Sequence, residues 1–347
     1  MGQQYYTSNT EWQEFIKDAL SDYHIYAPMR NNDNLAYQKV SEYNVASIEL
    51  NTYRPIQPIK SFLFFFYEQI TNVAKFPNLR GFVVMGVKAC DLNSLQLYDK
   101  MFLEGEFAEP FYKRRRQDLL LIGSDCQEPI DTCFCTVLNN APYPEENYDI
   151  NVSSTGMGLI IDVNSAKGED FIKIKKDIFQ KVVDRSILMK REAKRRAAIE
   201  KVEQINRQFD IKAPFLELLR NKLYSEVWKT DSQTCVTCGA CTQICPTCYC
   251  FLIEEAKSKR EKEPIQSKFR YWDSCQYTGF VRVAGGANPR KKKHERLRHR
   301  YLHKFDYIRE NFGFDGCTGC GRCIAACQGK IDMRKVFDDL KKAENNA

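Results

Sequence analysis

Between Thr10 and Leu20 the apolar residues Trp12, Phe15, Ile16 and Leu20 recur at helical spacing, which predicts a short helix. Tyr26–Pro28 reads as extended chain. Pro55 and Pro58 precede an aromatic run, Phe62–Tyr67, read as core and followed by a helix expected to reach about Ala74. Three short apolar runs then read as strands: Gly81–Val87 (GFVVMGV), Leu119–Cys126 (LLLIGSDC) and Gly158–Val163 (GLIIDV). Strands alternating with helical segments predict an α/β domain over residues 1–168.

The pattern changes after Gly168. Lys, Arg, Glu, Ala and Ile dominate to Arg207 with no proline, and a second amphipathic pattern covers Phe215–Trp228. Residues 169–230 are therefore expected to be a helical linker leading out of the first domain. Residues 231–347 form a cysteine-rich region with a final amphipathic helix over Ile331–Lys342. A stretch within it, 251–316, reads as a largely helical insertion ending in a basic segment, Asn288–Lys304. The expected architecture is an α/β N-terminal domain, a helical linker and a cysteine-rich C-terminal domain carrying that insertion.

The chain has 347 residues, enough for two cored domains. No apolar run approaches the roughly 18 residues that would span a bilayer, and the densest, Ser61–Tyr67, is too short. The N-terminus lacks a basic segment followed by an apolar one, and Met1-Gly2 is followed by Tyr6 where a myristoylation signal wants Ser or Thr. These features predict a cytoplasmic protein. The net charge of +7 suits acidic partners without calling for nucleic acid. Fifteen cysteines change the picture most. In a reducing compartment clustered thiols are better explained as metal ligands than as disulfides.

Two runs share one spacing. Cys235, Cys238, Cys241 and Cys245, followed by Pro246, form Cys-x2-Cys-x2-Cys-x3-Cys-Pro; Cys317, Cys320, Cys323 and Cys327 repeat the spacing, with Gln328 in place of the proline. This is the ligand run of bacterial [4Fe-4S] ferredoxins, in which the fourth cysteine serves the other cluster; the C-terminal region is therefore expected to be an α+β, bacterial-type dicluster ferredoxin domain with the largely helical insertion 251–316, beside the α/β N-terminal domain. The expected sets are Cys235, Cys238, Cys241 and Cys327 for one cluster, and Cys317, Cys320, Cys323 and Cys245 for the second. Gly239, Gly319 and Gly321 suit a backbone drawn close around such a core. The alternative, a zinc-binding interaction protein, has no need of two such four-cysteine runs.

Seven cysteines remain. Cys90, Cys126, Cys133 and Cys135 follow the ends of predicted strands, where ligands collect in α/β domains, and are expected to hold a third cluster in preference to packing as buried thiols. Cys248, Cys250 and Cys275 are one thiolate short of a cubane. They could draw a non-cysteine ligand such as Asp273, or the seven could share one site. The expected cofactors are two [4Fe-4S] clusters, with a third or fourth iron–sulfur cluster on these seven.

The motifs also carry a family resemblance. Gly86–Leu92 (GVKACDL), Asp131–Cys135 (DTCFC), Cys235–Cys250, Arg270–Phe280 (RYWDSCQYTGF), Val283–Arg290 (VAGGANPR), Arg296–Lys304 (RLRHRYLHK) and Cys317–Cys323 (CTGCGRC) resemble the beta subunit of sulfhydrogenase, the cytosolic NAD(P)-linked nickel–iron hydrogenase, and the A subunit of anaerobic sulfite reductase. Phe62–Glu68 departs from the proline-containing form expected of that family. The resemblance implies an electron-transfer subunit of an anaerobic multi-subunit oxidoreductase with no substrate of its own. Its expected partners are a flavin or NAD(P)-binding subunit and a subunit of hydrogenase, sulfite reductase or heterodisulfide-reductase type. No nucleic acid and no membrane insertion are expected. A catalytic reductase subunit with an active-site cluster in or near the N-terminal domain is the competing expectation.

The basic stretch Asn288–Lys304 holds eight Lys or Arg and three of the four histidines. No nucleic-acid module accompanies it. Two readings stand: Arg298 and Arg300 lie beside a cluster and raise its potential, or the stretch is a solvated face for an acidic partner. His299 and His303, four apart, have helical spacing for a metal, though a pair among arginines is more often incidental. Gly285–Asn288 lacks the full dinucleotide fingerprint, so NAD(P) and flavin are expected on partner subunits.

Overall fold

The computed structural model describes residues 3–71, 80–181, 184–257 and 266–343. In chain order the strands are β1 (Gln3–Thr7), β2 (His24–Asn31), β3 (Asn34–Lys39), β4 (Tyr67–Gln69), β5 (Phe82–Val87), β6 (Leu120–Ser124), β7 (Ile150–Ser154), β8 (Leu159–Val163), β9 (Gln180–Lys181), β10 (Phe251–Lys257) and β11 (Gln266–Trp272). Among the described residues β1–β3 and β5–β9 form an eight-stranded sheet in the order β3-β2-β5-β6-β7-β8-β1-β9. The pairs β2–β5, β5–β6 and β6–β7 are parallel. The central strands β5 and β6 are apolar on both faces, as parallel strands covered on both sides must be.

Side-chain alternation along β5 divides two cores. Val83 and Met85 pack with Trp12, Phe15 and Ile16, while Val84 and Val87 pack with Leu63, Phe64 and Tyr98. The extra residue at Gly86, where the pairing with β6 slips, keeps Val87 on the side of Val84. It also brings the ends of β5 and β6 level, with Val87 opposite Gly123. Cys90 and Cys126 therefore leave neighbouring strand ends.

The stretch expected to be a helical linker is part of the packed structure. Gln180–Lys181 pairs with β1. The helix Arg185–Asn206, capped by Asp184, lays Ala198 and Val202 inward, and its Arg195 pairs with buried Asp125 just beyond β6 (Nε–Oδ2 2.8 Å). Phe215 and Trp228 fall on two short helices, Leu216–Asn221 with its cap and Val227–Asp231, rather than on one. They enter a third core with Phe134, Tyr301, Phe305 and Phe337, which joins the N-terminal region to the last helix, Met333–Lys342.

Two expectations need correction. The insertion 251–316 is not largely helical: it opens with the antiparallel pair β10–β11, to which β4 adds a third strand. Leu252 and Ile253 are both exposed, so β10 shows no apolar alternation. Its sheet is held by distant partners, since Glu68 on β4 is buried between Arg115 and Arg270. Among the described residues of this stretch helix appears only later, at Lys293–Leu302 and Ile308–Phe312, with a π-helical turn at His303–Tyr307 between them. The helix expected after Phe62–Tyr67 is likewise replaced by β4, and its part at 72–74 lies outside the described residues. Among the described residues no helix is long and apolar enough to cross a membrane.

Candidate metal centres

The two ferredoxin-type runs fold alike. Gly239 and Gly321, both left-handed, each start a four-residue helix, Ala240–Gln243 and Arg322–Ala325, and the two helices touch. The first three cysteines of each run wrap the loop before and into that helix. Cys235, Cys238 and Cys241 line one pocket, and Cys327 from the other run joins them, as does Cys323. Backbone amides donate toward two of these sulfurs: Thr237 N to Cys235 Sγ (3.4 Å) and Ile331 N to Cys327 Sγ (3.3 Å).

Cys245 crosses in the opposite direction, to the second run. Burial, reinforced by Cys245 and Cys323, pushes the Cys317 thiol up to about 12 against the pull of Lys304. Cys320 is also raised, first by burial, and feels Cys245 and Cys323 as well. Cys245 itself is held well below the usual thiol value, first by a hydrogen bond from Cys248, then, against the cost of burial, by Lys304 and Arg300. Lys304 Nζ, fully enclosed, stands 3.4 Å from Cys245 Sγ and donates to Thr247 Oγ1 and Gly316 O, each at 2.7 Å.

A second pocket gathers Cys90, Cys126, Cys133 and Cys135. Cys90 lies on the short helix Ala89–Leu92 after β5, and Cys126, Cys133 and Cys135 lie in the connection between β6 and β7. Arg54, Lys88, Gly319 and Cys320 also line this pocket. Burial pushes Cys126 up to about 12 with Lys88 opposing, and pushes Cys90 and Cys135 well up. Lys88 Nζ is pinned by Ser124 Oγ (2.8 Å) and Asp125 O (3.2 Å). The second run lies directly against this loop: a Cβ at Gly319 would come 2.5 Å from Cys135 Cα, and one at Gly321 would come 2.0 Å from Thr132 O. Both glycines also have φ near +67°, so the contact needs glycine twice over.

The third pocket contains Cys248, Cys250 and Cys275 with His299, Arg300, His303 and Lys304. Its volume, about 330 Å³, far exceeds the 40 and 20 Å³ of the other two, so it has room beside its thiols. Cys275 is brought down to about 6, first by a hydrogen bond from Cys250. Burial pushes His299 and His303 down to about 4, with Arg290 and Lys304 respectively adding to it, so both are neutral imidazoles. Asp273 does not line this pocket; its Oδ1 accepts from Ser274 N (2.7 Å).

The basic stretch divides by face. Arg296, Arg300 and Lys304, four apart, are buried. Arg300 lines both the first and third pockets and donates to Cys241 O (3.2 Å). Arg298 does not line them: it donates to Leu223 O (2.9 Å) and lies over the Tyr224 ring. Lys304, Lys88 and Arg54 were not singled out by residue type, and helical spacing from Arg300 was the available signal for the first of them.

The residues suit iron–sulfur cores. Among the described residues no three His, Cys, Asp or Glu side chains could hold a single metal ion. Soft thiols gathered around each pocket are the donor chemistry that iron–sulfur cores take. Arg300 Nε is buried without a hydrogen-bond partner, as a donor aimed at cluster sulfur would be when only protein atoms are counted.

Comparison with known proteins agrees. Residues 234–331 match the family described as 4Fe-4S dicluster domain. Over 323 residues, 92% of this chain and 92% of the other, the protein is 30% identical to sulfhydrogenase 2 subunit beta of Pyrococcus furiosus. The dicluster domain makes this an iron–sulfur protein, similarity on that scale supports an electron-transfer role, and the chain belongs to the sulfhydrogenase beta-subunit family.

Proposed function

We propose that the chain is the branched wire of a multi-subunit oxidoreductase, relaying electrons between a flavin or NAD(P)H-linked subunit and a catalytic partner of hydrogenase, sulfite reductase or heterodisulfide-reductase type. Cys235, Cys238, Cys241 and Cys327 hold one [4Fe-4S] cluster; Cys317, Cys320, Cys323 and Cys245 hold a second; Cys90, Cys126, Cys133 and Cys135 hold a third. Cys248, Cys250 and Cys275 supply three thiolates to a fourth. Each cluster, when bound, supplies one-electron chemistry with little rearrangement.

One observation carries this reading. The second set borders every other one: Cys323 lines the first pocket, Cys320 the N-terminal pocket, and Cys245 Sγ lies 3.4 Å from Nζ of Lys304, which lines the third. Such a set is a junction, not the end of a line. Around it the chain supplies buried cations, Arg300, Lys304, Lys88 and Arg54, which offset thiolate charge in a dry interior.

The test is reduction of the anaerobically purified chain, alone and in its native complex. Dithionite is expected to bleach the isolated chain and NAD(P)H is expected not to; NAD(P)H should bleach it once the flavin subunit is present. Turnover of sulfite, polysulfide or a heterodisulfide by the isolated chain with a dye donor would replace the wire with a catalytic subunit.

A further inference from the structure

We propose that His303 is the fourth protein ligand of a [4Fe-4S] cluster seated on Cys248, Cys250 and Cys275. This rests on the reading of those three thiols as a cluster site. They line one pocket of about 330 Å³ and leave one corner of a cubane without a thiolate.

Three side chains near them could fill that corner, and two are already committed. The carboxylate of Asp273 accepts its own loop's amide, Ser274 N, at 2.7 Å and does not face the pocket. His299 lines the pocket, but its Nδ1 lies 3.1 Å from Arg290 Nη1. A guanidinium only donates, so that ring nitrogen is the acceptor and the other carries the proton. Neither nitrogen of His299 has a lone pair left for iron.

His303 is placed differently. Its Nε2 lies 3.4 Å from the hydroxyl of Tyr249, the residue between Cys248 and Cys250. The imidazole is thus tied to the loop that carries two of the three thiols. It also opens the π-helical turn His303–Tyr307. Such turns insert a residue into a helix and recur at functional sites because they re-aim side chains. Here the turn directs two neighbours to metal sites, His303 to the third pocket and Lys304 to Cys245. With a proton on Nε2 donated to Tyr249, Nδ1 presents its lone pair to iron. No electron is exchanged and no proton leaves that nitrogen. The cluster then carries one negative charge fewer than its all-thiolate neighbours. Imidazole in place of thiolate raises an iron–sulfur potential.

The experiment uses the full chain, purified anaerobically, as wild type, as wild type grown on nitrogen-15 histidine, and as the variants His303→Cys and Cys275→Ser. Pulsed EPR of the highest-potential reduced cluster should show a directly bound nitrogen. Its coupling should change with the isotope, vanish in His303→Cys, and be accompanied there by a lowered potential at unchanged iron content. Cys275→Ser should remove about four irons per chain, one cubane. If Cys275→Ser loses that iron while the wild type shows no histidine nitrogen, or the nitrogen survives in His303→Cys, the site stands and His303 is not its ligand. If Cys275→Ser leaves iron content unchanged, the three-thiol site falls, and His303 with it. Where a variant fails to fold, the labelled wild type still decides whether a histidine binds, and absence of its nitrogen overturns the proposal.

Discussion

Arg322 Nη2 lies 2.6 Å from Asp91 Oδ2, and both side chains are wholly enclosed. Arg322 sits between Cys320 and Cys323, and Asp91 follows Cys90. The pair locks the second ferredoxin run to the loop that begins the N-terminal cysteine pocket. Removing one partner of such a pair leaves a buried charge uncompensated, a cost of about 3–5 kcal/mol. Asp91→Ala should lose that much in chemical denaturation and lose iron from the N-terminal site with it. A change below about 1 kcal/mol, the range of exposed pairs, would show that the lock is dispensable.

Gly321 tests the same contact through the backbone. A methyl group there meets Thr132 O at 2.0 Å, and neither atom belongs to a side chain that can turn away. Gly321→Ala should therefore cost about 1–3 kcal/mol from strain and overpacking. It should also weaken magnetic coupling between the N-terminal site and the second set in EPR of the reduced protein. Wild-type stability and unchanged spectra would contradict the packing.

Much of this arrangement could be read before any coordinates. The repeated cysteine spacing predicts sets of three close thiols and one distant thiol, and the fold brings Cys327 to the pocket of Cys235, Cys238 and Cys241; the apolar runs of β5 and β6 mark buried parallel strands. Other parts lie beyond local pattern. β10 is stabilised by pairing with β11, which in turn pairs with β4 far away in the chain, so its own residues show no buried face. Lys304 continues the buried face of Arg296 and Arg300, but its reach to Cys245 Sγ and Gly316 O depends on segments distant in sequence. Arg298 and Arg300 are equivalent by type and neighbourhood, and only the helix face separates them.

Lys304 gives the electrostatic prediction. Burial acts against its charge, yet the thiolates of Cys245, Cys248 and Cys317 hold its ammonium above the usual lysine value. Lys304→Gln should make the second set's cluster harder to reduce, by on the order of 60 mV or about 1.4 kcal/mol for one electron. Arg300→Gln should act in the same direction on the first and third sites. Arg298→Gln should leave all potentials in place in an EPR-monitored titration; a shift there as large as that of Arg300→Gln would contradict the assignment by face.

Metal removal should act locally. The core around Trp12, Phe15 and Ile16 contains no cysteine, whereas the core around Phe134, Tyr301 and Phe337 has Cys317 packed against it. Stripping iron anaerobically should open residues 235–250 and 317–331 to proteolysis while the far-ultraviolet signal of the sheet persists, since metal binding and folding are coupled at the thiol loops. Loss of the sheet in the same step would contradict this division.

The most direct measurement is iron and acid-labile sulfide per chain, determined on anaerobically purified protein free of partner subunits. Four cubane sites predict about sixteen irons with matching sulfide. About eight irons would confine the clusters to the two ferredoxin-type sets, and would contradict a branched wire built on all fifteen cysteines.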